Sequence, residues 1–211
     1  MAFHPADSAI FGTLYGSDAM RAIFDERACL QAMLDVEAAL ARAQARIDEL
    51  QASADTDFLL GIPNRRGFER EFNRSIAFIR RYHGRGALIV LDVDRLKPIN
   101  DTYGHAAGDQ VLKAVVGALL EQVRSSDLIG RLGGDEFALL LWNLSETDAR
   151  AKAALLEESI DRLSFVFRGH TVAAGVSAGV ALLGPYTEPR RALEEADRAM
   201  YVRKAQRRHE V

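Results

Sequence analysis

The stretch that decides the fold is Arg131-Leu132-Gly133-Gly134-Asp135-Glu136-Phe137. It joins two short apolar runs, Asp127–Gly130 and Ala138–Trp142, and such runs around a Gly-Gly turn predict a β-hairpin. Asp135 and Glu136 then stand on that turn, where they lose hydration unless a cation lies opposite them. A divalent metal ion is one interpretation of this arrangement, and a solvated acidic turn is the other.

Composition is that of a soluble protein with one full core and a smaller extra element. The 211 residues carry a net charge of −3, which argues against a broad electrostatic surface for duplex nucleic acid. The longest apolar run, near Ala87–Leu91, is far shorter than the ~18 to 20 residues of a membrane span, and no secretory signal is visible. The single cysteine, Cys29, fits a reducing compartment. We therefore expect a cytoplasmic protein.

Residues 18–53 predict a long helix, because they contain neither Pro nor Gly and are rich in helix-forming residues. Apolar or small side chains recur there at alternating intervals of three and four residues, namely Met33, Val36, Leu40, Ala43, Ile47, Leu50 and Ala54. This seam favours a dimeric coiled coil, and a single amphipathic helix lying on its own domain is the alternative. Turn residues follow at Gly61–Asn64. We predict a helical dimerisation or signalling segment over 1–56 and a second domain over 57–211.

Beyond residue 57, helical and strand patterns alternate along the chain. They predict helices over 66–82, 108–124, 146–163 and 189–207, strands over 87–93 and 172–183, and the hairpin around residue 134. Helices that alternate with strands, together with one antiparallel hairpin, indicate an α/β fold with a mixed central sheet and flanking helices.

A second acidic cluster, Asp92-Val93-Asp94, directly follows the apolar strand. A continuous apolar run is typical of a central strand covered on both faces, and sites are commonly built where such strands end. With Asp135 on a neighbouring hairpin, Asp92 would complete a magnesium site, because Mg²⁺ takes one or two carboxylates and keeps positions for water and phosphate. Acidic strand ends that are merely solvated are the alternative.

Polar residues farther along have the chemistry to bind a guanine nucleotide. A carboxylate such as Asp109 accepts from guanine N1–H and the 2-amino group, and the amide of Asn100 bonds to another edge of the base. Lys97 would neutralise phosphate, and Lys204 and Arg208 lie one helical turn apart, so they reach one anion together. The alternatives are turn and N-cap roles for Asn100 and Asp109, and a basic helix end for the other two residues.

Taken together, these motifs resemble the GGDEF family, the diguanylate cyclases, over about Asp57 to His209. The matching segments, in the family's order, are Gly61–Arg66, Asp92–Asp94, Lys97–Asp101, Gly104–Asp109, Arg131–Phe137 and Ala196–Lys204. The resemblance implies a palm-like fold related to nucleotidyl cyclases. It also implies an enzyme that condenses two GTP molecules into cyclic di-GMP and releases two pyrophosphates.

The resemblance assigns a role to each candidate site residue. Asp92, the backbone carbonyl of Val93 and Asp135 would bind Mg²⁺ (Mn²⁺ as a substitute), Glu136 would be catalytic, Asn100, Asp109 and Leu112 would bind guanine, and Lys97, Lys204 and Arg208 would bind the triphosphate. Each protomer would hold one GTP, so catalysis would need a homodimer in which two sites face each other. The runner-up function is a catalytically weak domain that acts as a receptor for GTP or cyclic di-GMP.

An inhibitory product site is implied by Arg124 and Asp127, which stand at the spacing and place of the family's RxxD motif. The alternative is an ordinary arginine at a helix end followed by a turn aspartate. The family's second arginine has no match near Leu155, although Arg150 and Lys152 are close.

Two further positions depart from the family pattern. Leu60 replaces the usual Thr, which bears on how signals reach the domain. At the end of the last helix the family's Gly-Arg-Asn reads Arg207-Arg208-His209, so the role of Arg208 rests on a weaker match than that of Lys204.

The first 47 residues resemble the start of a different family, the fumarase/aspartase superfamily and especially its cycloisomerase branch. The resemblance rests on Ile10–Gly12, Ala19–Phe24 and Leu30–Ala43. Because the long helices that build the sites of those enzymes are absent, lyase activity is not implied.

Overall fold

The computed structural model describes residues 26–209, and packing divides the chain between Ser53 and Ala54. In the first unit, helix α1 runs over Glu26–Asp55 and ends in the second unit. The apolar seam lies along this helix with Val36 and Leu40 each 67% exposed. The assignment of a dimerisation segment to 1–56 stays a prediction. The motifs at 10–12 and 19–24 lie outside the described residues, so the second resemblance is also a prediction.

The second unit contains five helices and six strands in the described residues. In chain order they are α2 (Arg65–Tyr82), β1 (Gly86–Val93), α3 (Leu96–Tyr103), α4 (His105–Gln122), β2 (Leu128–Arg131), β3 (Glu136–Trp142), α5 (Glu146–Asp161), β4 (Ser164–Phe167), β5 (His170–Ala173), β6 (Val176–Leu183) and α6 (Pro189–His209). The predicted α/β class with flanking helices is confirmed, as is the predicted hairpin, which is formed by β2 and β3. Within residues 26–209, none of the helices combines the length and the apolarity that a bilayer span requires.

The central sheet has the strand order β2-β3-β1-β6. Every neighbouring pair among these four strands is antiparallel, whereas a mixed sheet was predicted. The helical crossovers do join strands that run in the same direction, β1 to β2 and β3 to β6. In each case, however, an antiparallel strand lies between the two, so the crossovers leave no parallel pair hydrogen-bonded.

Strand β1 is an inner strand of the central sheet and is buried along its whole length. Its alternate side chains enter two different cores, as the period of two in a strand requires. Ile89, Leu91 and Val93 pack with side chains of α4 and α5, and Leu88 and Val90 pack with side chains of α2 and α6. The continuous apolar run therefore marks a strand covered on both faces, as predicted.

Two parts of the predicted element pattern require correction. The single strand predicted over 172–183 is two strands, because Ala174 and Gly175 separate β5 from β6 and the Gly175 carbonyl accepts from the Asp94 amide, 2.8 Å away. Strand β5 instead pairs with β4 in a separate hairpin. Helix α3 was not predicted because Pro98 and Asn100 are poor helix formers. Pro98 lies in the first turn, where a missing N–H costs little.

Helix α6 lies close against β6 at Gly179. A Cβ atom at this position would lie 2.1 Å from the Ala196 carbonyl oxygen and 2.1 Å from the Met200 nitrogen, so only glycine permits the approach. Met200 is buried, and one turn beyond it Lys204 reaches the end of β1. The close packing of α6 thereby carries its basic end to the strand that bears Asp92.

Candidate active site

The turn between β2 and β3 is held by Arg131. Its guanidinium donates to the carbonyls of Gly133 and Gly134 at 3.0 and 2.6 Å, and to the Asp57 carboxylate at 2.9 Å. The Arg131 and Asp57 side chains are only 17% and 13% exposed, so water screens this ion pair little. The turn that presents Asp135 is consequently fixed to the segment that precedes α2.

Sheet register places the candidate metal and catalytic residues side by side. Asp92, near the end of β1, is the direct cross-strand partner of Glu136, the first residue of β3. The Val93 amide donates to the Asp135 carbonyl at 2.9 Å. The pairing of β1 with β3 therefore brings together Asp92, Val93, Asp135 and Glu136, which are about forty positions apart in sequence.

The cluster contains more carboxylates than neighbouring cations, and the pKa values of two of its carboxyl groups are raised. Burial raises the pKa of Asp92, and the nearby charges of Asp135 and Asp94 raise it further, while the hydrogen bond from the Lys204 ammonium lowers it. Burial also raises the pKa of Glu136, with added contributions from Asp197, Asp92 and Asp135. These carboxylates repel one another, so the site favours binding of a further positive charge.

The oxygen donors suit a hard divalent cation. Two carboxylates, Asp92 and Asp135, stand beside the Val93 backbone, and Mg²⁺ is held by one or two carboxylates together with water and substrate phosphates. Among the residues that the structure describes, no group of three His, Cys, Asp or Glu side chains has the arrangement of a metal site.

A cavity of about 560 Å³ opens beside the acidic cluster. Val93 and Asp135 form part of its lining, and basic side chains form another part, namely Arg95, Lys97, Lys204, Arg207 and Arg208. The structure thus brings the three candidate phosphate ligands Lys97, Lys204 and Arg208 to one cavity. A cavity lined by cations next to carboxylates has room for a polyphosphate together with its metal ion.

The candidate guanine ligands lie elsewhere in the domain. Asn100 is in α3 and Asp109 in α4, so neither is a turn or N-cap residue, and Leu112 is in the core with 3% exposure. The Asn100 carbonyl oxygen Oδ1 is buried and makes no hydrogen bond to any described residue. It rests against Gly108, where a Cβ would lie 1.9 Å away. A buried acceptor without a partner is rare.

A family model described as diguanylate cyclase, GGDEF domain, matches residues 54–210. The chain belongs to the GGDEF family. The six segments that resemble the GGDEF family, from Gly61–Arg66 to Ala196–Lys204, all fall within the matched residues.

Curated GGDEF relatives are much longer than this chain. Diguanylate cyclase TpbB of Pseudomonas aeruginosa is 39% identical over 180 residues, which cover 84% of the chain and 41% of TpbB. Probable diguanylate cyclase DgcE of Escherichia coli is 36% identical over 157 residues, which cover 74% of the chain and 14% of DgcE. The chain therefore spans well under half of these relatives.

Solved GGDEF structures share the fold. The coiled coil and GGDEF domain of DgcB from Caulobacter crescentus, a complex with c-di-GMP, gives a TM-score of 0.74 at 28% identity and covers 84% of this chain and 95% of that one. The GGDEF domain of TpbB from Pseudomonas aeruginosa gives 0.67 at 38% identity and covers 72% and 89%.

Around the GGDEF turn, sequence reasoning missed several charged neighbours. Arg65 approaches Glu136 at 3.9 Å and is one of the charges that lower the pKa of that carboxyl group. Asp197, the largest charge effect on Glu136, was quoted within a motif but given no role. Asp57 and Arg131 are 74 positions apart, and nothing local to either residue indicates their pairing.

The candidate inhibitory motif lies at the turn between α4 and β2. The Asp127 carboxylate accepts from the Arg124 amide at 2.9 Å and from the Trp142 amide at 3.3 Å, so Asp127 does act as a turn residue, while the Arg124 side chain is exposed. Lys152 of α5 lies beside them: burial lowers the pKa of Lys152, and Asp127 raises it. Its ammonium donates to Gln122 at 3.3 Å. The structure thus brings a second cation, absent from the predicted site, next to the motif.

The electrostatic strain at Glu136 predicts the effect of Glu136→Gln on folding stability. Because the folded-state pKa is raised above the ordinary value of 4.5, ionisation costs the folded state more than the unfolded chain. The cost is absent below the ordinary pKa, grows as the pH rises, and is complete above the raised pKa. Glutamine never carries the charge, so the variant should be more stable than the parent at pH 7, and its advantage should shrink toward pH 4.

Urea denaturation of both proteins in the presence of a chelator measures this difference. A variant that is less stable than its parent at pH 7, or whose advantage is equal at both pH values, would contradict the electrostatic account.

Proposed function

We propose that the chain is a Mg²⁺-dependent diguanylate cyclase that condenses two GTP molecules into cyclic di-GMP and releases two pyrophosphates. The observation that carries the proposal is the junction of β1 and β3, where Asp92 and Glu136 are cross-strand partners and Asp135 lines a cavity rich in cations. Relatives named diguanylate cyclases at 36% and 39% identity support it.

The basic residues of the cavity would hold the triphosphate of GTP. Lys97, Lys204 and Arg208 all line it, and each added cation offsets part of the phosphate charge. Lys204 already contacts the Asp92 carboxylate, so its ammonium lies where the nucleotide phosphates and the acidic cluster would meet. These residues would fix the α-phosphate for attack, which is positioning rather than covalent chemistry.

Asp92, the Val93 carbonyl and Asp135 would hold Mg²⁺, or Mn²⁺ in its place. When bound, the metal ion supplies positive charge that polarises the phosphate oxygens and offsets the charge that develops on them. Glu136 would accept the proton of the attacking 3′-hydroxyl. Its raised pKa suits this role, because a carboxylate of ordinary pKa is a weak base near neutral pH.

The guanine base would be bound by Asn100 and Asp109, with Leu112 beside it. Guanine N1–H and the 2-amino group are donors, and the Asp109 carboxylate would accept from both. The Asn100 amide would bond to another edge of the base. Adenine lacks this pair of donors, so these side chains would select GTP over ATP.

Each chain offers one such site, so the reaction would require two chains facing each other. The seam of α1 provides a means to pair them, since Met33, Val36, Leu40, Ile47 and Leu50 are between 47% and 67% exposed. A helical pair would raise the local concentration of the second site far above that of free protomers. The homodimer and the dimerisation role of residues 1–56 belong to this proposal.

Incubation of the purified protein with GTP and MgCl₂ tests the proposed reaction. Chromatography should show cyclic di-GMP and pyrophosphate, and a chelator should stop their formation. Glu136→Gln should lower the rate by roughly 100-fold or more, the usual scale for loss of a general base. Glu195→Gln, on an exposed part of the same domain, is the control.

Two outcomes would contradict the enzyme. A dimeric protein that binds cyclic di-GMP but releases no pyrophosphate would be a receptor, and a Glu136→Gln variant as active as the parent would remove the catalytic role of that residue.

The role of α1 is tested by charge placed in its seam. Leu40→Glu combined with Ile47→Glu should weaken self-association, because apolar seam positions cannot bury a carboxylate without a partner. The dimer fraction in sedimentation experiments and the specific activity at low protein concentration should both fall. Activity should recover as the concentration rises. Ala45→Glu, on the opposite side of the same helix, should alter neither, and equal effects of both variants would contradict a dimerising seam.

Product inhibition through Arg124, Asp127 and Lys152 is tested by truncating the two cations. Arg124→Ala and Lys152→Ala should each raise the cyclic di-GMP concentration for half-inhibition by about tenfold, the scale of one lost charge-assisted contact. Arg150→Ala is the matched control, since Arg150 lies on the same helix in an exposed pair with Glu146. Equal inhibition curves for Lys152→Ala and the control would remove Lys152 from the site.

A further inference from the structure

Arg207 is part of a partly exposed charge cluster at one side of the cavity. Its Nη1 and Nη2 atoms donate to the two oxygens of Asp161 at 3.0 and 2.6 Å, and its Nε atom donates to Asp94 at 3.2 Å. A third carboxylate, Glu157, lies 3.7 Å from Nη1. The Arg207 and Asp94 side chains are each 19% exposed and the Asp161 side chain is 40% exposed, so water screens the contact with Asp94 less than the contacts with Asp161. We refer to Arg207, Asp94 and Asp161 as the clamp.

The clamp ties three separate elements together. Asp94 follows β1, Asp161 is the last residue of α5, and Arg207 lies in the last turn of α6. Asp94 is itself fixed from both sides, since its other oxygen accepts from the Ser177 hydroxyl at 2.9 Å and its amide donates to Gly175 at 2.8 Å. The end of α6 is therefore attached to the strand that carries Asp92.

Gly175 packs against the clamp. A Cβ atom there would lie 3.1 Å from an Asp161 oxygen, 3.4 Å from Arg207 Nη2 and 3.5 Å from an Asp94 oxygen. The first distance is tighter than ordinary van der Waals contact and the other two are ordinary, so a side chain at residue 175 would require the Asp161 carboxylate to move by a few tenths of an ångström.

Arg207 lines the cavity, and each of its three side-chain nitrogens already donates to a carboxylate. Two of the five guanidinium N–H donors remain, but moving the group to a phosphate would leave Asp94 and Asp161 without their ion-pair partner. Arg207 also stands three residues after Lys204 and next to Arg208, on the same helical turn. What the clamp fixes is consequently the backbone that carries these two side chains.

We infer that Arg207 is a positioning residue for triphosphate binding, which acts by clamping the last turn of α6 to Asp94 and Asp161 so that Lys204 and Arg208 face the cavity. The inference rests on the proposed function, in which those two side chains hold the phosphates of GTP.

The clamp predicts a specific kinetic effect. Arg207→Ala and Asp161→Asn should each raise the KM for GTP by about tenfold and change kcat by less than about threefold, because the phosphate ligands lose their preset place while the carboxylates at the reacting centre stay. Arg207→Lys should rescue only part of the loss, since an ammonium cannot bind a carboxylate through two parallel hydrogen bonds. Arg190→Ala is the control, because Arg190 lies on the same helix in an exposed pair with Glu194.

The paired variants separate positioning from direct contact and from a structural role. If Arg207 bound phosphate itself, Asp161→Asn would free it and would leave the KM unchanged or lower. If it served stability alone, denaturation midpoints and the active fraction would fall while the KM stayed constant. Either result would overturn the clamp. The double variant Arg207→Ala, Asp161→Asn should be no worse than the single variants, and additive losses would also refute it.

A binding measurement keeps the clamp distinct from the reaction. A fluorescent GTP analogue that cannot be turned over should bind the parent, and its Kd should rise about tenfold in Arg207→Ala and in Asp161→Asn. If the parent binds the analogue but makes no cyclic di-GMP, the proposed function fails while this Kd difference still supports the clamp. An unchanged Kd in both variants, or no binding by the parent, would overturn it.

Discussion

The rest of the structure depends on one constraint. Strand β1 is buried on both faces, and it carries the Asp92 carboxylate next to its last residue. Asp92 is 8% exposed, and burial is the largest cause of its raised pKa. A charge in such a place requires a compensating cation close by. Lys204 provides one, and the packing of α6 against Gly179 is what delivers it. The position of the last helix is thus coupled to the charge at the end of the central strand.

Antiparallel pairing explains how residues distant in sequence come to share this site. The register of β1 with β3 makes Asp92 and Glu136 cross-strand partners, and a slip of one residue would turn one of them to the other face. The apolar alternation that fills two separate cores fixes that register, because a slip would also exchange the two cores. Core packing and the acidic cluster are therefore specified by the same pattern of side chains.

Local signals account for what the sequence could predict. These signals lie in contiguous residues: the Gly-Gly turn, the apolar run of β1 and the acidic residues that follow each of them. From them the α/β class, the hairpin and the family could be predicted. Pairings such as Asp57 with Arg131, or Asp161 with Arg207, join residues 74 and 46 positions apart and leave no local trace. The β4–β5 hairpin was missed for another reason: its strands have four residues each, too few for a clear alternation.

The cations around the site are of two kinds, and they differ in how rigidly they bind carboxylates. Arginines make the contacts with several donors each: Arg131 is hydrogen-bonded to the turn and to Asp57, and Arg207 is hydrogen-bonded to Asp161 through two donors. The planar guanidinium suits such fixed geometry. The cation on Asp92 is instead a lysine, a compact charge on a flexible chain that can turn from a carboxylate to a phosphate without breaking a bidentate pair. In the proposed reaction the arginines would keep the backbone of the site in place, and the lysine would be able to move from Asp92 to a phosphate of the nucleotide.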